Sequence, residues 1–160
     1  MKSKNIYFFI GTTAELIKLA PVIKELKKRK IGFKIIASMQ NVLYFNELKL
    51  LIGKQSIYYK SVLKPFKLPF KYTYSRFVIW TIKTLGNFIL YFINEFKDVD
   101  KKNSFFIVHG DTISSLIGAL VAKIQGIRLV HIESGLRSFN FLEPFPEEIC
   151  RFITSRLANI

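Results

Sequence analysis

Acidic residues are scarce in this sequence: eleven Asp and Glu stand against twenty-five Lys and Arg, a formal net charge of +14 over 160 residues. Cysteine is scarcer still. With Cys150 alone, no internal disulfide framework is possible. Its neighbours show no metal-ligand spacing, so it reads as a small packing residue in a reducing cytosol. No G-x-G-x-x-G occurs, which removes the fingerprint of nicotinamide and flavin domains, and neither a metal nor a cofactor is expected. The apolar run in the opening "MKSKNIYFFIGTTAE" is too short for a secretory h-region, so no export is indicated and a cytoplasmic location is expected.

What is abundant is apolar and aromatic. Half of the residues are hydrophobic, with sixteen Phe and seven Tyr, enough to bury the core of one domain and to exclude a disordered chain. The basic excess is uneven: residues 1–102 hold twenty Lys/Arg against six Asp/Glu, whereas residues 103–160 hold five of each. Such a field attracts nucleic acid, anionic lipid or phosphorylated small molecules, and a lysine-rich solvated surface is the plainer account. Nucleic acid ranks last as a partner, because no aromatic-strand motif or recognition helix accompanies the charge.

Periodicity sets the fold class. "NIYFFIG", "FKIIAS", "SIYY", "SFFIVH" and "RLVHIE" are short apolar runs that read as buried strands. Between them, residues 14–30, "NVLYFNELKLLIG" and "TISSLIGALVAKIQ" carry helical spacing, and "PEEICRFITSRLA" starts a last helix behind Pro146. Strands alternating with helices predict an α/β, Rossmann-like parallel sheet with helices on both faces. "FVIWTIKTLGNFILYFINEF" is long enough to span a bilayer, but Thr81, Lys83, Thr84, Asn87, Asn94 and Glu95 interrupt it along one side. An amphipathic helix packed on the sheet is expected instead. The basic-aromatic stretch before it, residues 60–76, is a candidate for weak contact with anionic membrane.

In open parallel sheets, ligands bind beyond the carboxyl ends of the strands. Three stretches fall at that edge. "GTTAELIK" offers a helix start after Gly11, with Lys18 one turn further in to reach a phosphate. "VHGDT" places Asp111 at a strand end, where it is either a helix-capping acid or a reactive one. "HIESGLRSFNFLEPFPEEICR" places Glu133 at another strand end and Glu147 and Glu148 in the first turn of a helix. His109 and His131, flanked by apolar residues, read as satisfied core histidines. Three carboxylates meeting at one edge (Asp111, Glu133 and Glu147) tune one another's proton affinity, as paired acid and base work on a sugar requires.

These stretches resemble the non-hydrolysing UDP-N-acetylglucosamine 2-epimerases. "GTTAELIKLAPVIKEL", "VHGDTISSLIGALVAKIQGI", "HIESGLRSFNFLEPFPEEICR" and "LAN" match that family in order and spacing. The resemblance implies the N-terminal half of a glycosyltransferase-B-like fold, with residues 1–160 as one Rossmann-like domain, truncated before the second half. It implies interconversion of UDP-GlcNAc and UDP-ManNAc, by elimination of UDP and its re-addition with inversion at C2, in polysaccharide biosynthesis. Asp111, Glu133 and Glu147 would take the acid/base roles, with Lys18 and Arg151 near phosphates or carboxylates and Gln40 near the substrate. The partners it implies are a UDP-sugar, the missing half or a partner chain, and a homodimer. Without a second half, no turnover by the 160 residues alone and a bare outer sheet edge are expected.

The family usually reads G-T-R-P-E at the first turn, and Thr13 and Ala14 stand where Arg and Pro are expected. Thr13 lacks a guanidinium fork for a phosphate, which fits a branch acting on a related UDP-sugar. The alternatives are a hydrolysing epimerase or glycosyltransferase of the same architecture, and a non-catalytic domain binding a membrane or partner.

Overall fold

The computed structural model describes residues 5–38, 40 and 74–160. Among the described residues, four strands, β1 (Ile6–Ile10), β2 (Lys34–Ala37), β3 (Phe105–His109) and β4 (Arg128–Ile132), run parallel in the order β2-β1-β3-β4. Four α-helices accompany them among those residues: α1 (Thr13–Lys28), α2 (Tyr74–Glu95), α3 (Ile113–Gln125) and α4 (Glu147–Leu157). The parallel α/β architecture expected from the sequence is the one observed, with described strand and helix bounds within three residues of those expected. The helix expected over 41–53, the strand over 56–59 and most of the basic-aromatic stretch over 60–76 lie outside the described residues.

The strands are continuous apolar runs because both of their faces are covered. Tyr7, Phe9, Phe106 and Val108 point to one face and pack with Phe88 and Phe92 of α2 and Ile117 and Val121 of α3. Phe8, Ile10 and Ile107 point to the other face, against Leu16, Leu19 and Ile23 of α1. Alternation along each strand therefore feeds two cores. The first is strongly aromatic: the Phe92 ring meets Phe106 edge-on at 5.4 Å and stacks on Phe96 at 4.7 Å. Such pairs add about 1 kcal/mol each beyond their buried area. At Gly118, α3 touches the sheet so closely that a Cβ would lie 2.7 Å from a Phe9 ring carbon and 2.8 Å from a Val108 methyl.

Two expectations need correction. The polar residues of α2 do not form one solvent stripe. Thr84 is buried beside Phe88, and Glu95 accepts from Lys34 Nζ of β2 at 2.7 Å. The outward side carries Ile79, Ile82, Leu90 and Ile93, all exposed, together with exposed Lys83, Asn87 and Asn94. No described helix is long and apolar enough to cross a membrane. The outer edge of β4 is also not bare. Asn159 N–H donates to Leu129 O at 2.8 Å, and His131 N–H donates to Ile160 O at 2.9 Å, so the residues after α4 begin to pair along it.

Candidate active site

The strand order reverses direction at β1, which has β2 on one side and β3 on the other. The crevice at a parallel sheet's switch point opens beyond the carboxyl ends of such strands. Gly11, directly after β1, has no room for a side chain, since a Cβ would fall 2.2 Å from Ser114 Oγ. Ser114 Oγ lies 2.5 Å from Ser38 Oγ, so the ends of β2, β1 and the start of α3 meet in a buried hydroxyl contact. Gln40 joins them there. Its side-chain oxygen accepts from Ser114 N–H at 3.0 Å, at the first turn of α3.

Thr12 caps α1 by accepting from Glu15 N–H at 3.2 Å, and Thr13 is the first helical residue. Glu15 is 3% exposed. Its two oxygens accept from Gly11 N–H and from the Thr112 hydroxyl, each at 2.6 Å. Thr112 in turn caps α3, accepting from Ser115 N–H at 3.0 Å. Glu15 thus ties the turn after β1 to the turn that carries Asp111. Burial pushes its carboxyl from 4.5 to about 7, against the hydrogen bonds that lower it. This residue was not singled out from the sequence, although Thr12-x-x-Glu15 is the capping-box pattern that would have drawn attention to it.

Lys18 crosses from α1 to the end of β4, its Nζ 3.0 Å from both oxygens of Glu133. Glu133 adopts a left-handed backbone, φ +68, which aims its side chain back over the rim at a cost of about 1–3 kcal/mol. Burial opposes its charge, yet the Lys18 hydrogen bond, His109 and Arg151 outweigh that and hold it below the ordinary carboxylate range. Arg151, from the first turns of α4, pairs with Asp111 and also donates to Leu136 O. Lys18 and Arg151 are therefore the cations of two of the three acids. The third acid, Glu147, opens α4 and has one side-chain oxygen, Oε2, buried without a hydrogen-bond partner.

Glu148 is set apart from its neighbour. It is buried, with Arg137 Nε 2.5 Å from one oxygen and Ser138 N–H 3.1 Å from the other, so it anchors the loop before α4. That leaves Glu147 as the acid open to other chemistry. Cys150 is buried in α4 and its thiol is pushed up to about 12 by that burial, which agrees with a packing role.

The two histidines differ. His131 is satisfied as expected, with Nε2 2.7 Å from Gly110 O and Nδ1 3.1 Å from Ser155 Oγ. His109 is not. Its Nε2 lies 3.2 Å from Glu133 Oε2, and its buried Nδ1 has no partner. Burial lowers its pKa, so the neutral ring with the proton on Nε2, donating to Glu133, is the form that fits. We expect long-range 1H–15N spectra to show that tautomer for His109 at pH 7, and Glu133→Gln to lower its pKa further by removing a negative neighbour. A His109 carrying its proton on Nδ1, or charged at pH 7, would show the assignment wrong.

A parallel sheet with helices on both faces and a crevice at its switch point belongs to the Rossmann-like α/β class. The family model described as UDP-N-acetylglucosamine 2-epimerase matches residues 59–160, more than half of the chain. The chain belongs to this family. It is 31% identical to the UDP-N-acetylglucosamine 2-epimerase of Campylobacter jejuni over 160 residues, covering 98% of this chain and 38% of that protein. The crystal structure of the Neisseria meningitidis UDP-GlcNAc 2-epimerase bound to UDP-GlcNAc superposes with a TM-score of 0.70 at 29% identity, over 96% of this chain and 38% of that one. The Methanocaldococcus jannaschii enzyme in complex with UDP-GlcNAc and UDP also gives 0.70, at 27% identity and the same coverages. The chain thus spans well under half the length of these relatives.

Proposed function

We propose that this chain supplies the acid/base wall of an active site that interconverts UDP-GlcNAc and UDP-ManNAc in the cytoplasm, residues 1–160 forming the N-terminal domain and a second half closing over the nucleotide. What supports this reading is that Glu133 and Asp111, each just beyond a strand, are paired with Lys18 and Arg151, and that Glu147 opens the helix that supplies Arg151. A carboxylate removes the proton at C2 while the C1–O bond to UDP breaks, its electron pair leaving with the phosphate oxygen. Return of a proton to the opposite face of C2 and re-addition of UDP at C1 complete the inversion. Glu133, held ionised, suits the accepting role. Glu147 Oε2, with no protein partner, suits a contact to the sugar. Lys18 and Arg151 offset the charge that develops on the departing diphosphate. Gln40, whose side chain accepts from the first turn of α3, and Thr13, the first residue of α1, are the proposed further contacts to substrate.

The test is product analysis. Residues 1–160 joined to the remaining length of the Campylobacter jejuni relative are expected to convert UDP-GlcNAc to UDP-ManNAc, followed by the anomeric protons in 1H NMR. Release of free N-acetylmannosamine and UDP would mark a hydrolysing enzyme instead. A folded, UDP-binding protein that leaves the substrate unchanged would end the proposal.

A further inference from the structure

We propose that the end of the sheet where the strands begin, opposite the crevice, docks on an anionic lipid bilayer. In a parallel sheet every strand starts at the same end, so each helix must return its chain there. The segments that do so are 27–34 after α1, 95–104 after α2 and 123–128 after α3. Together they hold ten Lys and Arg against three Asp and Glu. The segments that leave the carboxyl ends of β1, β3 and β4 are 11–18, 110–115 and 133–151, and they hold three against six. Charge is sorted between the two ends of the sheet.

Pairing sharpens the contrast. The three cations of the strand-leaving segments, Lys18, Arg137 and Arg151, each contact a carboxylate. At the other end the ion pairs among the described residues are Arg29–Glu25 and Lys34–Glu95. They leave Lys28, Lys30, Lys97, Lys102 and Lys123 exposed and outside any ion pair among those residues. A favourable place in the last turn of a helix accounts for Lys28 and Lys123. It does not account for Lys30. That residue takes the left-handed position after α1, φ +57, which Gly126 takes after α3 at φ +69. Glycine would sit there without strain, yet the position presents a cation.

The apolar residues set among these cations select the partner. Ile31, beside Lys30, is 41% exposed, and Ile124, beside Lys123, is 58% exposed. Lysines around apolar tips suit the headgroup region of a bilayer. The isoleucines and lysine stems reach the acyl boundary while the ammonium groups stay with the phosphates. A nucleic acid calls instead for free arginine forks or stacking aromatics. Of the two arginines here, Arg29 is paired with Glu25 and Arg128 lies over the Phe105 ring of its own sheet at 5.0 Å. Docked in this way, the crevice at the far end faces away from the lipid and stays open to water. Lipid binding at this end is independent of the reaction in the crevice.

The 160-residue chain should co-sediment with phosphatidylglycerol–phosphatidylcholine vesicles at low salt and not with phosphatidylcholine alone. Binding should be lost in 1 M NaCl, where the Debye length is about 3 Å. Lys30→Gln, Lys102→Gln and Lys123→Gln combined should weaken it about 100-fold, roughly fivefold for each cation removed. Ile31→Ser with Ile124→Ser should weaken it about tenfold. All five side chains are exposed, so the variants should keep the wild-type circular dichroism and unfolding midpoint. Lys83→Gln, on the outward side of α2, should change binding less than about twofold. A wild-type chain that ignores anionic vesicles, or a triple variant that binds them as tightly, would overturn the proposal. So would an isoleucine variant with unchanged vesicle binding, or tighter binding of wild type to duplex DNA than to vesicles at equal salt. A fivefold loss in Lys83→Gln would assign the effect to net charge and overturn it as well.

Discussion

Glu133→Gln is expected to lower epimerisation about 1,000-fold in the enzyme completed by a second half, with little change in KM for UDP-GlcNAc. The substitution keeps the shape of the side chain and an oxygen for Lys18 and His109 to donate to, at 3.0 Å and 3.2 Å in the wild type. What it removes is the ability to take a proton. Losing a general base in this way costs roughly 100- to 10,000-fold. A pH profile separates this from misfolding. Lys18, His109 and Arg151 hold the Glu133 carboxyl low, so wild-type activity should persist through the neutral range and fall only in acid. Lys18→Met removes the hydrogen bond that contributes most to that lowering, and should move the acid limb to higher pH. A Glu133→Gln enzyme retaining a tenth of wild-type activity would remove this residue from the reaction.

Wild-type stability, measured against Glu15→Gln, should fall by about 3 kcal/mol between pH 4.5 and pH 8. The carboxyl of Glu15 is raised from 4.5 to about 7 in the fold by burial. Across that window the folded chain holds a proton that the unfolded chain has released, so stability is full below pH 4.5 and declines as the pH rises through 7. The shift is worth about 1.4 kcal/mol for each unit of pKa. His109 and His131, both lowered by burial, act in the opposite sense and favour the fold as the pH rises through 6.5. Comparing wild type with Glu15→Gln cancels their contribution, because both histidines remain. Urea unfolding at pH 5 and pH 8 measures the difference. Equal slopes in the two proteins would mean that Glu15 is ionised at pH 5 despite its burial.

The sheet was legible because its strands are mostly apolar runs, and that pattern has one common solution, coverage on both faces. Glycines, prolines and caps marked the element ends closely enough to put Asp111 and Glu133 just beyond strands and Glu147 at a helix start. Contacts made across long sequence separations were not legible. Lys18 and Glu133 are 115 residues apart, and nothing local announces that α1 leans over the end of β4. The same applies to His109, whose apolar neighbours describe its strand while its ring projects from the strand's end toward Glu133. Glu148 and Glu147 are adjacent and identical in type, and only the direction of Arg137 and Ser138 separates an anchor from a free acid. On α2, hydropathy alone could not show that Thr84 is buried and that Glu95 reaches Lys34 of β2, because both read only as polar punctuation in an apolar run.

The clasp of Lys18 on both oxygens of Glu133 has a bearing on selectivity. If Glu133 is the proton acceptor proposed above, this ion pair mutes it until substrate arrives. A diphosphate entering beside α1 competes for that ammonium group, and a plain hexose does not. On the proposed reading, the leaving group of the true substrate unlocks the base, so uncharged sugars that wander into the crevice meet a carboxylate that is already occupied.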